Sequence, residues 1–371
     1  MSVQRAAQRA NAALRGGGVS ISVLTCNLAR GRGRCGHGAT LVELLTLLTE
    51  LSAADSNITQ ALRGHFAFVE DRLNASPSPE RGAWFARFVA GELVGNGWTE
   101  VGAVKLGEIL TRITPHGDKY LLNGAKYYST GSLFADWIDV YAQRSDNGAD
   151  VIALVHAHHP GVTQSDDWDG FGQRTTSSGT VKLKHAEIDP FLIFDERKLA
   201  AQPNCRGAYS QLLQAAIDVG IAEAAFADTL AAVHKARPVA DANAAKASHE
   251  HYTLQEVGKS AVLLDAAILL LDEAAEYLDE LDQLQAVNAQ QAAKASIRVA
   301  EAKVYANDAA LHISEKLLEL GGSRSSLSIH NFDQHWRNAR VHTLHDPVRW
   351  KLHALGDYYL NGALPARHAW I

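Results

Sequence analysis

The chain has 371 residues, of which 47 % are hydrophobic and 20 % charged, and a formal net charge of −6. That composition is ordinary for a globular protein with a large core. A net acidic balance argues against nucleic acid as the main partner, since phosphate contacts need a basic face. No apolar run approaches the roughly 20 residues of a membrane span. The Arg- and Ala-rich start lacks the apolar stretch of a secretory signal. Three cysteines, Cys26, Cys35 and Cys205, show no CxxC spacing. They imply a reducing cytoplasm and supply neither a disulfide framework nor a metal site.

Residues 26–38, CNLARGRGRCGHG, fit no element and read as an irregular Gly/Arg-rich loop. From residue 40 to 91 the pattern is helical. Leu41, Leu44, Leu45, Leu48 and Leu51 recur on one helical face. Ser56 is placed to N-cap a second helix through Leu62 and Phe66 to Val69, and a third helix runs from Pro79 to Val89.

Near Gly91 the pattern changes to strands. Asn123-Gly124 predicts a hairpin between Lys119–Leu122 and Ala125–Thr130. Asp146-Asn147-Gly148 separates strands at Trp137–Ala142 and Val151–His156. Gly179–Ile188 alternates as a half-buried strand does. Past about residue 198 the helices return. Leu254, Val257, Ala261, Leu264, Ile268, Leu271, Ala275 and Leu278 step by threes and fours, and Ile297, Val304, Leu311 and Leu318 repeat every seven. Two such seams predict nearly antiparallel helices of a bundle, the second ended by Gly321-Gly322. The expected domains are helices over 1–91 (residues 1–39 being atypical), a β domain over 92–197 and a helical bundle over 198–371.

Three constellations carry candidate chemistry. His342 and His345 lie in WRNARVHTLHDP, and imidazoles three apart suit proton transfer or polarisation of a bound oxygen species. An isolated pair reads more readily as hydrogen-bonded packing, and HxxH without a third ligand is a weak metal signal. Gly95-Asn96-Gly97-Trp98-Thr99 offers close backbone approach, a flat indole and a hydroxyl. Ser129 and Thr130 close a strand before Gly131. Arg237 and Arg324, at predicted helix ends, suit either a phosphate or the helix dipole. Rossmann, P-loop and nucleophile-elbow motifs are absent from the sequence.

In this order the pieces resemble the acyl-CoA dehydrogenase superfamily. Within it they resemble the dibenzothiophene-monooxygenase-like branch, and there the sulfur-acquisition oxidoreductases linked to dimethyl sulfone use. The resemblance runs from about residue 40 to the C-terminus. It rests on NGAKYYSTG (123–131), DW with GFGQRTTSSG (167–179) and WRN through HTLHDPV (336–348). It implies a mainly α fold with a central β domain: an N-terminal helical domain, a middle β-barrel-like domain and a C-terminal four-helix bundle, assembled as a homotetramer. It also implies a cytoplasmic flavoprotein monooxygenase. Reduced FMN, supplied by a separate NAD(P)H-dependent flavin reductase, and O2 would oxygenate a small organosulfur compound.

The resemblance further places Trp98, Thr99, Ser129 and Thr130 at the flavin ring, and Arg237 and Arg324 at phosphates, Arg324 at a neighbouring subunit's. His65, Asn96, His342 and His345 would line the pocket where oxygen and substrate meet. No metal is implied. Dehydrogenases of the superfamily carry a catalytic Glu followed by Gly where this chain has Asp346-Pro347, a shorter carboxylate and a poor base in that role. The alternatives are an FAD-containing acyl-CoA dehydrogenase with Asp346 as base, and a non-catalytic flavin-binding remnant. Where the family has a Pro/Tyr/Gly-Gly loop after a strand near Ile21–Thr25, this chain has residues 26–38, which read as a truncated or frame-shifted stretch.

Overall fold

The computed structural model describes residues 39–100, 108–196, 201–284 and 286–367. The atypical 26–38 segment, with Cys26 and Cys35, and the strand expected near Ile21–Thr25 lie outside them.

Contacts group the chain into two compact units. The first takes in Gln60–Asp169 and Arg174–Gln202; the second takes in Leu41–Thr59, Gly170–Gln173 and the chain from Pro203 onward. Helix α1 (Leu41–Asn74) contributes to both, and it is kinked at Asp55, which has non-helical φ/ψ of −161° and 102°. Asp55 Oδ1 accepts the Asn57 backbone N–H at 2.9 Å, the bond an N-cap makes. The cap of the second half is therefore Asp55 and not Ser56. Asp caps as well as Ser, and the Ser56 hydroxyl is committed to a buried network described below.

In the first unit, α2 (Pro79–Ala90) starts at a Ser78 cap and ends at Gly91, whose φ of 87° is left-handed. Among the described residues eight strands follow: β1 (Val94–Gly97), β2 (Arg112–His116), β3 (Lys119–Lys126), β4 (Trp137–Arg144), β5 (Asp150–His156), β6 (Val162–Ser165), β7 (Thr180–Ile188) and β8 (Ile193–Asp195). They form one sheet in the order β6-β7-β3-β2-β4-β5-β8, with β1 pairing β4 in parallel. Its core joins Phe68, Trp84 and Phe88 to Ile113, Leu122, Ile138, Val140, Leu154 and Val181. In β7 Val181, Leu183, Ala186 and Ile188 are buried while Lys182, Lys184 and Glu187 are exposed. The β4–β5 turn holds Gly148 at φ 67°, as its Asp-Asn-Gly sequence requires.

Asn123-Gly124 is a correction. β3 runs straight through it, and the turn of that hairpin is at Gly117 (φ 63°) and Asp118. Gly124 (φ 156°) sits at a register shift between β3 and β7. A Cβ there would lie 2.4 Å from Thr111 Oγ1. The glycine marks a bulge and a close approach of two backbones, the other use of glycine in a strand.

The second unit is helical: α3 (Arg206–Lys235), α4 (His251–Asp282), α5 (Ala289–Leu320), α6 (Asp333–Leu344) and α7 (Val348–Asn361). On α4 the seam holds at Leu264, Leu271, Ala275 and Leu278, but Leu254 is 58 % exposed. On α5 burial extends beyond the seven-residue repeat, through Ala295, Val299, Ala302, Ala306, Ala309 and Ile313. Its alanines allow neighbours to approach on more than one side. α5 opens with a complete capping box, Asn288 and Gln291.

Candidate active site

In the first unit, β1 and the strand-end segment after β3 form one framework. The Asn96 N–H donates to the Thr130 carbonyl at 3.1 Å, Ser129 N–H to Gly179 O at 2.9 Å, and Gly131 N–H to Thr176 O at 2.9 Å. A Cβ on Gly95 would fall 2.6 Å from Ser132 Cα, so the glycine lets β1 close on the 3-10 turn at Ser132–Phe134. The hydroxyls of Thr130, Ser178 and Thr176 form a chain with steps of 2.9 and 2.7 Å. Thr99 Oγ1 donates to Tyr127 O and accepts from Tyr128 N–H, both at 2.8 Å, while its residue stays exposed.

Trp98 is half-buried and stacked on Tyr141, with ring centroids 5.4 Å apart. Its indole N–H donates to Asp139 Oδ2 at 2.9 Å. Asp139 is buried, and burial pushes its carboxyl up to about 7, against the indole bond and the charge of Arg63. Burial also lowers Arg63 from its ordinary value. Behind Trp98, Lys126 and Glu100 form a buried ion pair of 2.6 Å. Glu100 accepts as well from the N–H groups of Leu110 and Thr111 and the Thr111 hydroxyl. Burial alone would raise the Glu100 carboxyl, but these partners hold it below its ordinary value.

His65 lies 1 % exposed against Phe66 and Phe88. Its Nδ1 accepts the Val94 N–H at 3.2 Å, and Nε2 has no hydrogen-bond partner among the described residues. Burial pulls its pKa down to about 4, so the ring is neutral near pH 7. Asn96 packs against Gly64, the residue before His65: a Cβ added at Gly64 would lie 3.1 Å from Asn96 Cβ.

In the second unit the motif around His342 and His345 spans the end of α6. His342 is 3 % exposed, while His345 is exposed at the helix C-cap. His342 Nδ1 is 2.5 Å from Asp218 Oδ1, and Asp218 Oδ2 is 2.8 Å from Lys303 Nζ. All three side chains are at most 1 % exposed. Asp346, the next acidic residue, pairs with buried Lys351 at 2.7 Å. Arg237 and Arg324 are exposed past the ends of α3 and α5, and neither forms an ion pair among the described residues.

Two of the signature stretches pack on each other here. Gln173 N–H donates to Asn338 Oδ1 at 2.8 Å, and the amides of Gln173 and Asn338 both donate to Ser56 Oγ, at 3.2 and 3.1 Å. Phe171 stacks on Trp336 at 6.1 Å, and a Cβ on Gly172 would lie 2.0 Å from Arg337 O.

The sequence-predicted residues thus fall into two groups. His65, Asn96, Trp98, Thr99, Ser129 and Thr130 belong to the first unit, and Arg237, Arg324, His342 and His345 to the second. Sequence reasoning missed Asp139, Asp218, Lys303 and Lys351. Asp218 had a signal: it is a lone charge inside an apolar helical run, QAAIDVGIA, and such charges stay only when paired.

Residues 212–350 match the family described as acyl-CoA dehydrogenase, C-terminal domain. A dibenzothiophene monooxygenase of Mycolicibacterium goodii is 28 % identical over 345 residues, covering 89 % of this chain and 83 % of that protein. A probable FMNH2-dependent monooxygenase of Pseudomonas putida is 29 % identical over 342 residues, covering 89 % and 84 %. The chain belongs to the acyl-CoA dehydrogenase superfamily. The crystal structure of FMN-bound TdsC from Paenibacillus sp. A11-2 superposes with a TM-score of 0.87 at 28 % identity, covering 94 % of this chain and 90 % of that one. This is the acyl-CoA dehydrogenase fold, and the relatives place the chain in the dibenzothiophene-monooxygenase-like branch of the superfamily.

Proposed function

We propose that this protein is a flavin-dependent monooxygenase that uses reduced FMN and O2 to oxygenate a small organosulfur compound in sulfur acquisition. The observation that carries the reading is the Asp346–Lys351 pair. In a dehydrogenase the residue at this place must take an α-proton, which needs a carboxylate free to move and accept. Here it is locked, 2.7 Å from a buried ammonium. The names of the relatives, dibenzothiophene monooxygenase and FMNH2-dependent monooxygenase, agree with it.

The side chains suit FMN. Trp98 offers a flat indole held from behind by Asp139 and Tyr141, and Thr99, Ser129 and Thr130 offer hydroxyls and backbone groups for a ring edge. Arg237 and Arg324 offer guanidinium forks for a phosphate, Arg324 that of a neighbouring subunit. When bound and reduced, FMN supplies the two electrons that activate O2 for transfer of one oxygen atom to sulfur. The rest falls to this chain. His65, with Nδ1 taken by Val94, carries its proton on Nε2 and presents a buried donor. A preorganised donor in a dry site stabilises developing negative charge on oxygen far better than water does. Asn96 and His345 add donors, and His342 adds a buried imidazole.

The protein works as a cytoplasmic homotetramer served by an NAD(P)H-dependent flavin reductase. Val262 and Leu269 on α4 and Tyr359 and Leu360 on α7 are each more than two-thirds exposed in the single chain, more apolar surface than a monomer keeps. Calorimetry tests the cofactor: FMN should bind more tightly than FAD, and the reverse order would overturn the choice. A panel of sulfones, sulfinates and thiophenes, turned over with a reductase and NADH and read by mass spectrometry, identifies the substrate.

A further inference from the structure

In the first unit the end of β3 carries a fully buried ammonium, Lys126, between the segment that holds Trp98 and Thr99 and the segment that holds Ser129 and Thr130. Its side chain is 0 % exposed. Its Nζ donates to Glu100 Oε1 at 2.6 Å and to the Trp98 carbonyl at 3.3 Å. Its own carbonyl accepts the Ser129 hydroxyl at 3.4 Å. One residue on, the Tyr127 N–H donates to the Thr99 carbonyl at 3.0 Å, and the Thr99 hydroxyl joins the Tyr127 carbonyl to the Tyr128 N–H. β1 has ended at Gly97 and β3 at Lys126, so side chains here take over from the strand ladder. Glu100 is itself fixed by the Leu110 and Thr111 N–H groups and the Thr111 hydroxyl.

A buried ion pair is a poor source of stability, since apolar side chains of similar volume often serve as well or better. What this pair adds is geometry. Asp139 and Tyr141 hold the indole of Trp98, but neither sets how far the Trp98 backbone lies from Ser129. A carbonyl held by the last side chain of β3 does set it. Burial pulls the Lys126 ammonium down, and Glu100 raises it again.

We propose that Lys126 is a positioning residue for the flavin ring: with Glu100 it clamps the Trp98–Glu100 segment to the end of β3 and so sets the spacing of Trp98 and Thr99 from Ser129 and Thr130. A site must hold its contact groups to within about half an ångström to bind a rigid ring well, and side chains on segments past the ends of strands need such a second layer of support. The clamp follows from the bonds within this unit. That the four residues it spaces receive a flavin rests on the function proposed above.

The experiment is 19F NMR of the flavin-free protein labelled with fluorotryptophan, with the Trp98 signal assigned by its loss in Trp98→Phe, alongside calorimetry of FMN binding. Lys126→Met takes the ammonium away from a carboxylate and risks unfolding. The companion Lys126→Met/Glu100→Gln removes both charges together and keeps an oxygen for Leu110 and Thr111. In the folded double variant the Trp98 signal should shift and broaden, while those of Trp336 and Trp350, in the second unit, hold. FMN should bind about tenfold more weakly, the scale of one lost buried hydrogen bond. A residue that only stabilised the fold would lower the melting temperature and leave both readouts as in the wild type. An unmoved Trp98 signal, or wild-type FMN affinity, in the folded double variant overturns the proposal. A wild-type protein in which FMN moves no Trp98 signal refutes the flavin reading instead, and the flavin-free spectrum still decides the clamp.

Discussion

The Nδ1 of His65 accepts the backbone N–H of Val94, so the neutral ring must carry its only proton on Nε2, in a place that is 1 % exposed. Burial holds the folded-state pKa at about 4, below the ordinary 6.5. Protonation therefore favours the unfolded chain. The stabilising contribution is complete above about pH 6.5 and is lost as pH falls toward 4. A shift of that size corresponds to about 3 kcal/mol. His65→Gln should flatten the melting-temperature profile between pH 6.5 and 4 relative to wild type. Parallel profiles would show that His65 does not titrate as its burial requires.

Asp139 gives the opposite sign. Its folded-state pKa is raised from 3.8 to about 7, so stability is highest at low pH and declines as pH rises through 7. Asp139→Asn keeps an oxygen for the Trp98 indole and removes the titration. The variant should gain roughly 2–4 kcal/mol on wild type between pH 4 and 8. Trp98 fluorescence should follow the same titration in the wild type and lose it in the variant. A pH-independent difference between the two proteins would count against a protonated Asp139.

The Asp346–Lys351 pair predicts an asymmetry between single and double variants. Asp346→Ala takes the carboxylate away from a buried ammonium and should cost about 3–5 kcal/mol in urea denaturation. Asp346→Leu with Lys351→Met removes both charges and should cost less than half as much. In neither case should an acyl-CoA bleach the bound flavin. Additive single-variant costs would show that the two groups are not coupled.

Gly172 meets the Arg337 carbonyl, with a Cβ position 2.0 Å from that oxygen. Gly172→Ala must push the Phe171–Gln173 segment off α6 and strain the Ser56 network. The expected cost is about 1–3 kcal/mol, with Trp336 becoming more accessible to acrylamide quenching. Wild-type stability and quenching in this variant would mean that the contact is not tight.

Much of the fold was legible because its signals are local. Ser78-Pro79 starts α2, Asp-Asn-Gly turns β4 into β5, and the alternation of β7 sorts its faces. Asn123-Gly124 misled because the same dipeptide serves a turn or a bulge, and only the approach of Thr111 decides which. Ser56 misled because its cap role competes with the distant Gln173 and Asn338. At the site, the histidines and Trp98 stood out by residue type. What holds them, Asp218, Lys303 and Asp139, comes from other elements at separations of 41 to 124 residues. Nothing in the local pattern pairs residues across such separations.

The most direct test of the oxygenase reading is isotopic. The protein, a flavin reductase, NADH and FMN are incubated under 18O2 with dibenzothiophene and with methanesulfinate, and products are read by mass spectrometry. The reading predicts an oxygenated sulfur product carrying one atom of 18O per transfer, dependent on FMN and abolished without the reductase. Turnover of neither these nor any other sulfur compound, together with flavin reduction by an acyl-CoA, would contradict it.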